Sequence, residues 1–244
     1  LSDAFIENSS IWIGNDPSST TNSSDYNVAV GINALDAVTN GDGNVAIGYN
    51  ALTANTYGNY NTANGKSSLE YNIMGGDNTA SGFESLNRNT TGSYNTASGR
   101  STLYKNTTGN NNTAIGALAQ YSNTTGTRNI AFGNYALELS DDESDNLAIG
   151  YDALGGSIDG GEYNVAIGND SLDANTTGDY NVAVGYNSLT GNTTGNYVTA
   201  LGGKALQANT TGTGNTAIGT NALESSSTGS VSYTHLTLPT NREV

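Results

Sequence analysis

A short pattern, Asn-(Thr/Val)-Ala-(Ile/Val/Ser)-Gly, returns through this chain at an almost constant interval, and that period constrains the fold more than any other feature. Its closing glycines are Gly31, Gly48, Gly65, Gly82, Gly99, Gly116, Gly133, Gly150, Gly168, Gly185, Gly202 and Gly219. Each lies 17 residues after the last, except that 18 separate Gly150 from Gly168. A degenerate copy, Ile11-Trp12-Ile13-Gly14, precedes Gly31 in register and brings the count to thirteen. Two residues before each of the twelve regular glycines stands Ala, as in Ala29, Ala46, Ala63, Ala80, Ala97 and Ala114. Four residues after it stands Leu, as in Leu35, Leu52, Leu69, Leu86 and Leu103, with Gln120 the single exception. Asn stands four residues before it in every copy but that of Val198, and a second glycine recurs ten residues after it, as in Gly41, Gly58 and Gly92.

A period of 17 with two fixed glycines would break any helix. Short β-type segments between glycine corners predict instead an all-β fold, a parallel β-solenoid or β-roll of about 13 coils. Strand pairing would stack the coils about 4.8 Å apart, giving a rod of roughly 60 Å. In Asn44-Val45-Ala46-Ile47-Gly48, alternation points Ala46 to one face and Val45 and Ile47 to the other. We expect Ala and Leu to fill the interior. The second face, apolar at Val28/Val30 but polar at Thr62/Asn64, Thr79/Ser81 and Thr96/Ser98, is expected to turn outward or to meet a neighbouring chain; the reverse assignment stays open. Gly31, Gly48, Gly65, Gly82 and Gly99 are expected at corners that need positive φ or close backbone approach. The Asn residues preceding the strands are expected to stack as a ladder. One Ala and one Leu per layer bury modest area, so a homo-oligomer sharing apolar faces is expected.

Composition narrows the function. Of 244 residues, seven are Lys or Arg and 22 Asp or Glu, a net charge of −15 that repels nucleic acid and anionic lipid. Partners of those kinds are not expected, and no run approaches the roughly 18 apolar residues of a membrane span. With no Cys and one His, a disulfide scaffold, a thiolate metal site and a Cys nucleophile are excluded. No catalytic residue, metal or cofactor is expected, and the chain is not expected to be an enzyme. The densest acidic cluster, Asp141-Asp142-Glu143-Asp145, reads as a solvated loop, with a Ca²⁺ site as the sharper alternative. The segment Gly155-Gly156-Ser157-Ile158-Asp159-Gly160-Gly161 lengthens one coil as a loop.

Tyrosine is the aromatic that carries a pattern. Tyr26, Tyr60, Tyr94, Tyr163, Tyr180 and Tyr197 each stand five residues before a closing glycine. Exposed, they would offer a glycan or a host protein an apolar body with a polar tip; buried, they would be corner packing. Asn89, Asn106, Asn123, Asn175, Asn192 and Asn209 open Asn-Thr-Thr triplets, formally glycosylation acceptors that repetition of the unit explains more simply. Trp12 replaces the repeated Ala and is expected to cover the open end of the stack, with ligand stacking as the alternative.

At the C-terminus the register vanishes after Gly229, and Val231 to Thr240 fits no repeat position. That string resembles the translated transposon-end adapter used in sequencing libraries. The chain therefore divides into a lead-in at 1–10, repeats over 11–230 and a non-native tail at 231–244. Because Leu1 is not an initiating Met, both ends are expected to be cut from a longer protein.

The unit Asn44-Val45-Ala46-Ile47-Gly48-Tyr49-Asn50-Ala51-Leu52 resembles the head repeats of trimeric autotransporter adhesins. It is still more similar to the longer-spaced repeats of bacterial surface proteins and phage tail fibres that end in an intramolecular chaperone domain. The resemblance covers about residues 10 to 229. It implies a homotrimeric, fibrous element, extracellular on a bacterial surface or borne on a virion, that binds a host glycan or surface receptor. An ice-binding β-solenoid is the alternative, since flat faces with ranked Thr order water.

Overall fold

A computed structural model of the chain describes residues 4–7, 9–14, 23–230 and 233–235, the first and last of these by their backbone. The chain is a β-solenoid. Where the repeat sets Ala between two side chains that are mostly β-branched or hydroxyl-bearing, the backbone extends for three residues and the anchor glycine stops it. These strands are β3 (Val28–Val30), β4 (Val45–Ile47), β5 (Thr62–Asn64), β6 (Thr79–Ser81), β7 (Thr96–Ser98), β8 (Thr113–Ile115), β9 (Ile130–Phe132), β10 (Leu147–Ile149), β11 (Val165–Ile167), β12 (Val182–Val184), β13 (Thr199–Leu201) and β14 (Thr216–Ile218). They pair in parallel in chain order, Ala against Ala, as in Ala29↔Ala46 and Ala46↔Ala63. The extra residue between Gly150 and Gly168 does not disturb this register, since Ala148 still faces Ala166. Coil-to-coil pairing continues past the strands: the Leu35 N–H donates to the Ala51 carbonyl at 3.0 Å, and the Asn50 N–H to the Ile32 carbonyl at 3.0 Å.

Ala29 through Ala217 and Leu35 through Leu206 lie at the interior and are essentially inaccessible, while the flanking strand residues look outward. Each buried Leu contributes on the order of 1.5–3 kcal/mol. Chain reversal inside so small a perimeter needs left-handed backbone at several positions per coil. The interior Leu itself adopts it (Leu52 φ 51°, Leu86 φ 47°), as do the residue two after the anchor (Asn50 φ 56°) and the residue five before it (Tyr60 φ 57°). A left-handed Leu costs roughly 1–2 kcal/mol, so at these corners burial offsets strain. The anchor glycine has no such option. Gly48 has φ +136°, and a Cβ there would lie 2.6 Å from the Gly65 carbonyl oxygen.

Both ends of the ladder carry an additional strand. β1 (Ala4–Glu7) pairs antiparallel with β2 (Ser10–Ile13), Phe5 opposite Trp12, and β2 then pairs in parallel with β3. Trp12 is completely buried, in the column that Ala29 continues, so it fills the end of the interior while the backbone of β1 covers the edge. Its burial removes the ligand-stacking alternative. At the other end, β15 (Tyr233–His235) pairs in parallel with β14 at the 17-residue spacing, Thr234 facing Ala217, although its residues do not follow the repeat. The rest of the 231–244 tail, like residues 1–3, 8 and 15–22, lies outside the described residues.

Candidate ligand-binding surface

The tyrosines that recur five residues before the anchor occupy a left-handed corner, and that conformation throws the side chain outward. Tyr26, Tyr60 and Tyr94 have φ of 60°, 57° and 61°, and Tyr163, Tyr180 and Tyr197 have 58°, 55° and 57°. All six are exposed, from 45% at Tyr163 to 71% at Tyr26, so they are a surface column and not corner packing. They divide into two groups. Tyr163, Tyr180 and Tyr197 occupy consecutive coils and stack face to face, with centroids 4.8 and 5.2 Å apart and planes within 3°. Burial by its neighbours, with the Tyr163 and Tyr197 hydroxyls beside it, pushes the Tyr180 hydroxyl above its usual range. Tyr26, Tyr60 and Tyr94 are two coils apart, with Gly43 and Asp77 between them. The Tyr60 ring lies over Gly43, where a Cβ would come 2.7 Å from its Cδ1.

The polar residues beside this column hold the coils together. Asp42 Oδ1 accepts the Asp25 N–H at 2.8 Å, Asp179 Oδ1 accepts the Glu162 N–H at 2.9 Å, and Asn196 Oδ1 accepts the Asp179 N–H at 2.7 Å. The expected ladder of Asn before the strands is present. Asn44 Oδ1 accepts from both the Asn61 N–H at 2.9 Å and Asn61 Nδ2 at 3.1 Å, while Asn61 Nδ2 also reaches the Gly75 carbonyl at 2.9 Å. A second buried ladder runs through the residues that read as glycosylation acceptors. Asn89 Nδ2 donates to Asn72 Oδ1 at 2.7 Å and to the Gly92 carbonyl at 2.8 Å, and Asn106, Asn123, Asn192 and Asn209 sit alike, while Asn175, which follows the coil of Ile158, donates to the Gly178 carbonyl. All six have no accessible surface, so none is presented for modification in the folded chain.

The acidic cluster at 141–145 does not converge on one point. Asp145 turns to Arg128, whose Nε and Nη2 donate to its carboxylate at 2.6 and 2.7 Å and hold that carboxyl below its usual range. Asp141 accepts from Thr124, and Asp142 is exposed. Glu143 is buried, which corrects the solvated-loop reading at that residue. Its Oε2 accepts the Asp141 N–H at 2.8 Å and Ser140 Oγ at 3.0 Å, and its Oε1 accepts the Gly160 N–H at 3.0 Å. Among the described residues no three acidic or His side chains gather into a set that could hold a metal ion. The lengthened coil is more than a loop, because Ile158 is buried in the core.

Two features were invisible along the chain because they join distant residues. Glu138, Asp152 and Asp173 lie on successive coils, where burial first and neighbouring carboxylates second push all three carboxyls up. The second is an open groove of about 590 Å³ that includes Tyr71, Arg88, Tyr104, Glu70 and Glu84. Tyr104 stacks on Tyr121 with centroids 5.3 Å apart. The chain matches no protein-family model, no curated protein and no solved structure to which it was compared.

Proposed function

We propose that this chain is a structural and adhesive segment of a fibrous protein, displayed outside a bacterial cell or on a virion, that binds a host glycan or receptor along its length. The observation that carries this reading is the surface column of Tyr163, Tyr180 and Tyr197, three near-parallel rings whose edges face solvent at one coil spacing. Repetition of such a row turns weak contacts into avidity. The homotrimer belongs to the same proposal. From β8 to β14 the outer face is mostly apolar, with Ile130, Phe132, Ile149 and Ile218 exposed, and association would cover it.

Two measurements test this. Light scattering with small-angle X-ray scattering on the chain should report an elongated trimer; a monodisperse monomer would remove the trimer. A glycan and receptor-protein array should show binding that the combined Tyr163→Ala, Tyr180→Ala and Tyr197→Ala variant loses. Binding retained by that variant would remove the tyrosine column. The ice-binding alternative rests on a different rank, Thr62, Thr79, Thr96 and Thr113 on four consecutive paired strands. Val45 and Ile130 bound that rank, and thermal hysteresis of a solution is the readout that would favour it.

A further inference from the structure

The tyrosines five residues before the anchor build two different surfaces. Tyr163, Tyr180 and Tyr197 fill consecutive rungs, whereas Tyr26, Tyr60 and Tyr94 fill alternate ones, with Gly43 and Asp77 between them. Backbone hydrogen bonds keep the second set in line. The Gly43 N–H donates to the Asp25 carbonyl, the Tyr60 N–H to the Asp42 carbonyl and the Asp77 N–H to the Asn59 carbonyl, all at 2.9 Å, and the Tyr94 N–H donates to the Gly76 carbonyl at 3.1 Å. Each rung is thus pinned to the one before it. With coils about 4.8 Å apart, the three rings recur at roughly 10 Å.

The gaps change what the rings present. In the stack, each face of Tyr180 is covered by a neighbouring ring, which leaves its edge to solvent. Tyr60 has no ring on either adjacent rung and leans over Gly43, where a Cβ would come 2.7 Å from its Cδ1. One face lies on backbone, and the ring stays 66% exposed. The turn itself does not require Gly43, because Asp77, Asn111 and Arg128 hold the same position of other coils with φ of 56°, 58° and 59°. What the missing side chain provides is room for the ring. Tyr26 and Tyr94 share the left-handed backbone of Tyr60 and are as exposed as it is.

We infer that Tyr26, Tyr60 and Tyr94 form a platform for an extended β-1,4-linked glycan of neutral sugars, the class to which cellulose and chitin belong. In such a chain each pyranose is turned over relative to the last, so the same apolar C–H face returns at every second sugar. A sugar with its linkage is about as long as one coil is thick. One sugar per coil therefore brings a like face to each of the three rings, and rings on every coil would meet alternating faces. Chains with α-1,4 or β-1,3 linkages curl and do not meet three rings in line. The surroundings suit a neutral polymer: Asp77, exposed between Tyr60 and Tyr94, accepts sugar hydroxyls, and Thr62, Thr79 and Thr96 are exposed two residues beyond the column. The net charge of −15 repels an anionic one. The assignment rests on the reading of this chain as a glycan-binding segment, and it uses different residues from the Tyr163–Tyr197 stack.

Depletion of the full chain from solution by microcrystalline cellulose and by crystalline chitin tests the platform, with a β-1,3-glucan gel and granular starch as controls. At least one β-1,4 polymer should retain the chain, and which one does identifies the sugar. The combined Tyr26→Ala, Tyr60→Ala and Tyr94→Ala variant should bind that polymer about tenfold more weakly or worse. All three side chains are exposed, and a circular dichroism spectrum like that of the unaltered chain would show that the fold survives. Asp77→Tyr should also weaken binding, because the added ring joins Tyr60 and Tyr94 in a stack that hides their faces; unspecific adsorption would instead grow with the extra ring. The variant lacking the Tyr163, Tyr180 and Tyr197 rings should bind the polymer unchanged, so the platform and the stack fail separately. No retention on either β-1,4 polymer, equal retention on the β-1,3-glucan or on starch, unchanged binding by the first variant, or undiminished binding by Asp77→Tyr would each overturn the platform.

Discussion

From Gly65 to Gly116 every coil repeats the same inner positions, whereas from Gly133 to Gly168 several change together. In the regular coils Asn72, Asn89 and Asn106 bond to Gly75, Gly92 and Gly109, and these glycines leave room for the amides. A Cβ at Gly75 would sit 2.5 Å from Asn72 Oδ1. In the irregular stretch Ser140 takes the Asn place and Glu143 the Gly place, followed one coil later by Ile158 and an extra residue. The shorter Ser140 frees the volume into which the Glu143 side chain folds, and its carboxylate accepts the Asp141 and Gly160 N–H groups, whose counterparts in a regular coil, Ile73 and Met74, donate to the Thr90 carbonyl of the next coil. The coil is therefore tolerant of paired changes and intolerant of single ones.

That contrast can be broken from the regular side. Gly99 has φ +140°, and a Cβ there would lie 2.5 Å from the Gly116 carbonyl oxygen, so Gly99→Ala is expected to destabilise by about 3 kcal/mol or more. Gly160 has φ +100° with open space around its Cβ, and Gly160→Ala should cost about 1–2 kcal/mol. Urea unfolding of the two variants compares them directly. Next in size, Asn89→Ala removes two donors and leaves Asn106 Nδ2 without its 2.7 Å acceptor, an expected loss of about 2–4 kcal/mol. Ser140→Ala, which removes one hydroxyl bond to Glu143, should lose about 1 kcal/mol in the same assay.

Acid should also act with opposite signs on two sets of carboxyls in and beside the irregular stretch. Glu138, Asp152 and Asp173 have carboxyls raised by burial, so the folded state binds their protons first. Stability contributed there rises as pH falls through the raised values and is complete below the ordinary carboxyl range. Asp145, lowered by Arg128, contributes stability above the ordinary Asp value and loses it as pH falls through its own. Amide protection, corrected for the intrinsic slowing of exchange in acid, should rise around Asp152 and Asp173 on mild acidification and fall around Asp145 only at lower pH. The smallest effects concern the surface column. Tyr180→Ala removes two ring contacts and should cost about 1 kcal/mol, against about 0.5 kcal/mol or less for the unstacked Tyr94→Ala. Equal losses in thermal melts would deny the stack any energetic role.

Much of the architecture could be read along the chain, because alternation alone separates Ala46 from Val45 and Ile47, and an unvarying Ala, Leu or Gly marks a place where nothing else fits. The second ladder could not. Asn-Thr-Thr has the same letters whether its amide faces water or the interior, and which it faces is set by the left-handed residues around it. Leu86 at φ 47° gives no local sign of that conformation, since leucine is not a residue that favours it. The Glu138, Asp152 and Asp173 group and the groove of Tyr71, Arg88 and Tyr104 were hidden for a different reason. Their members are separated by a coil or more of sequence, and only the offset between corners of successive coils decides which of them meet.

Both asparagine columns run in one direction: the later coil donates and the earlier coil accepts, as from Asn61 to Asn44 and from Asn106 to Asn89. In these two columns a finished coil thus presents amide oxygens, and the next coil in the chain brings the hydrogens. Where Ser140 fails to do so, Asn123 Oδ1 stays buried without a partner. The acceptors of both columns therefore precede their donors in the order in which a ribosome delivers the chain.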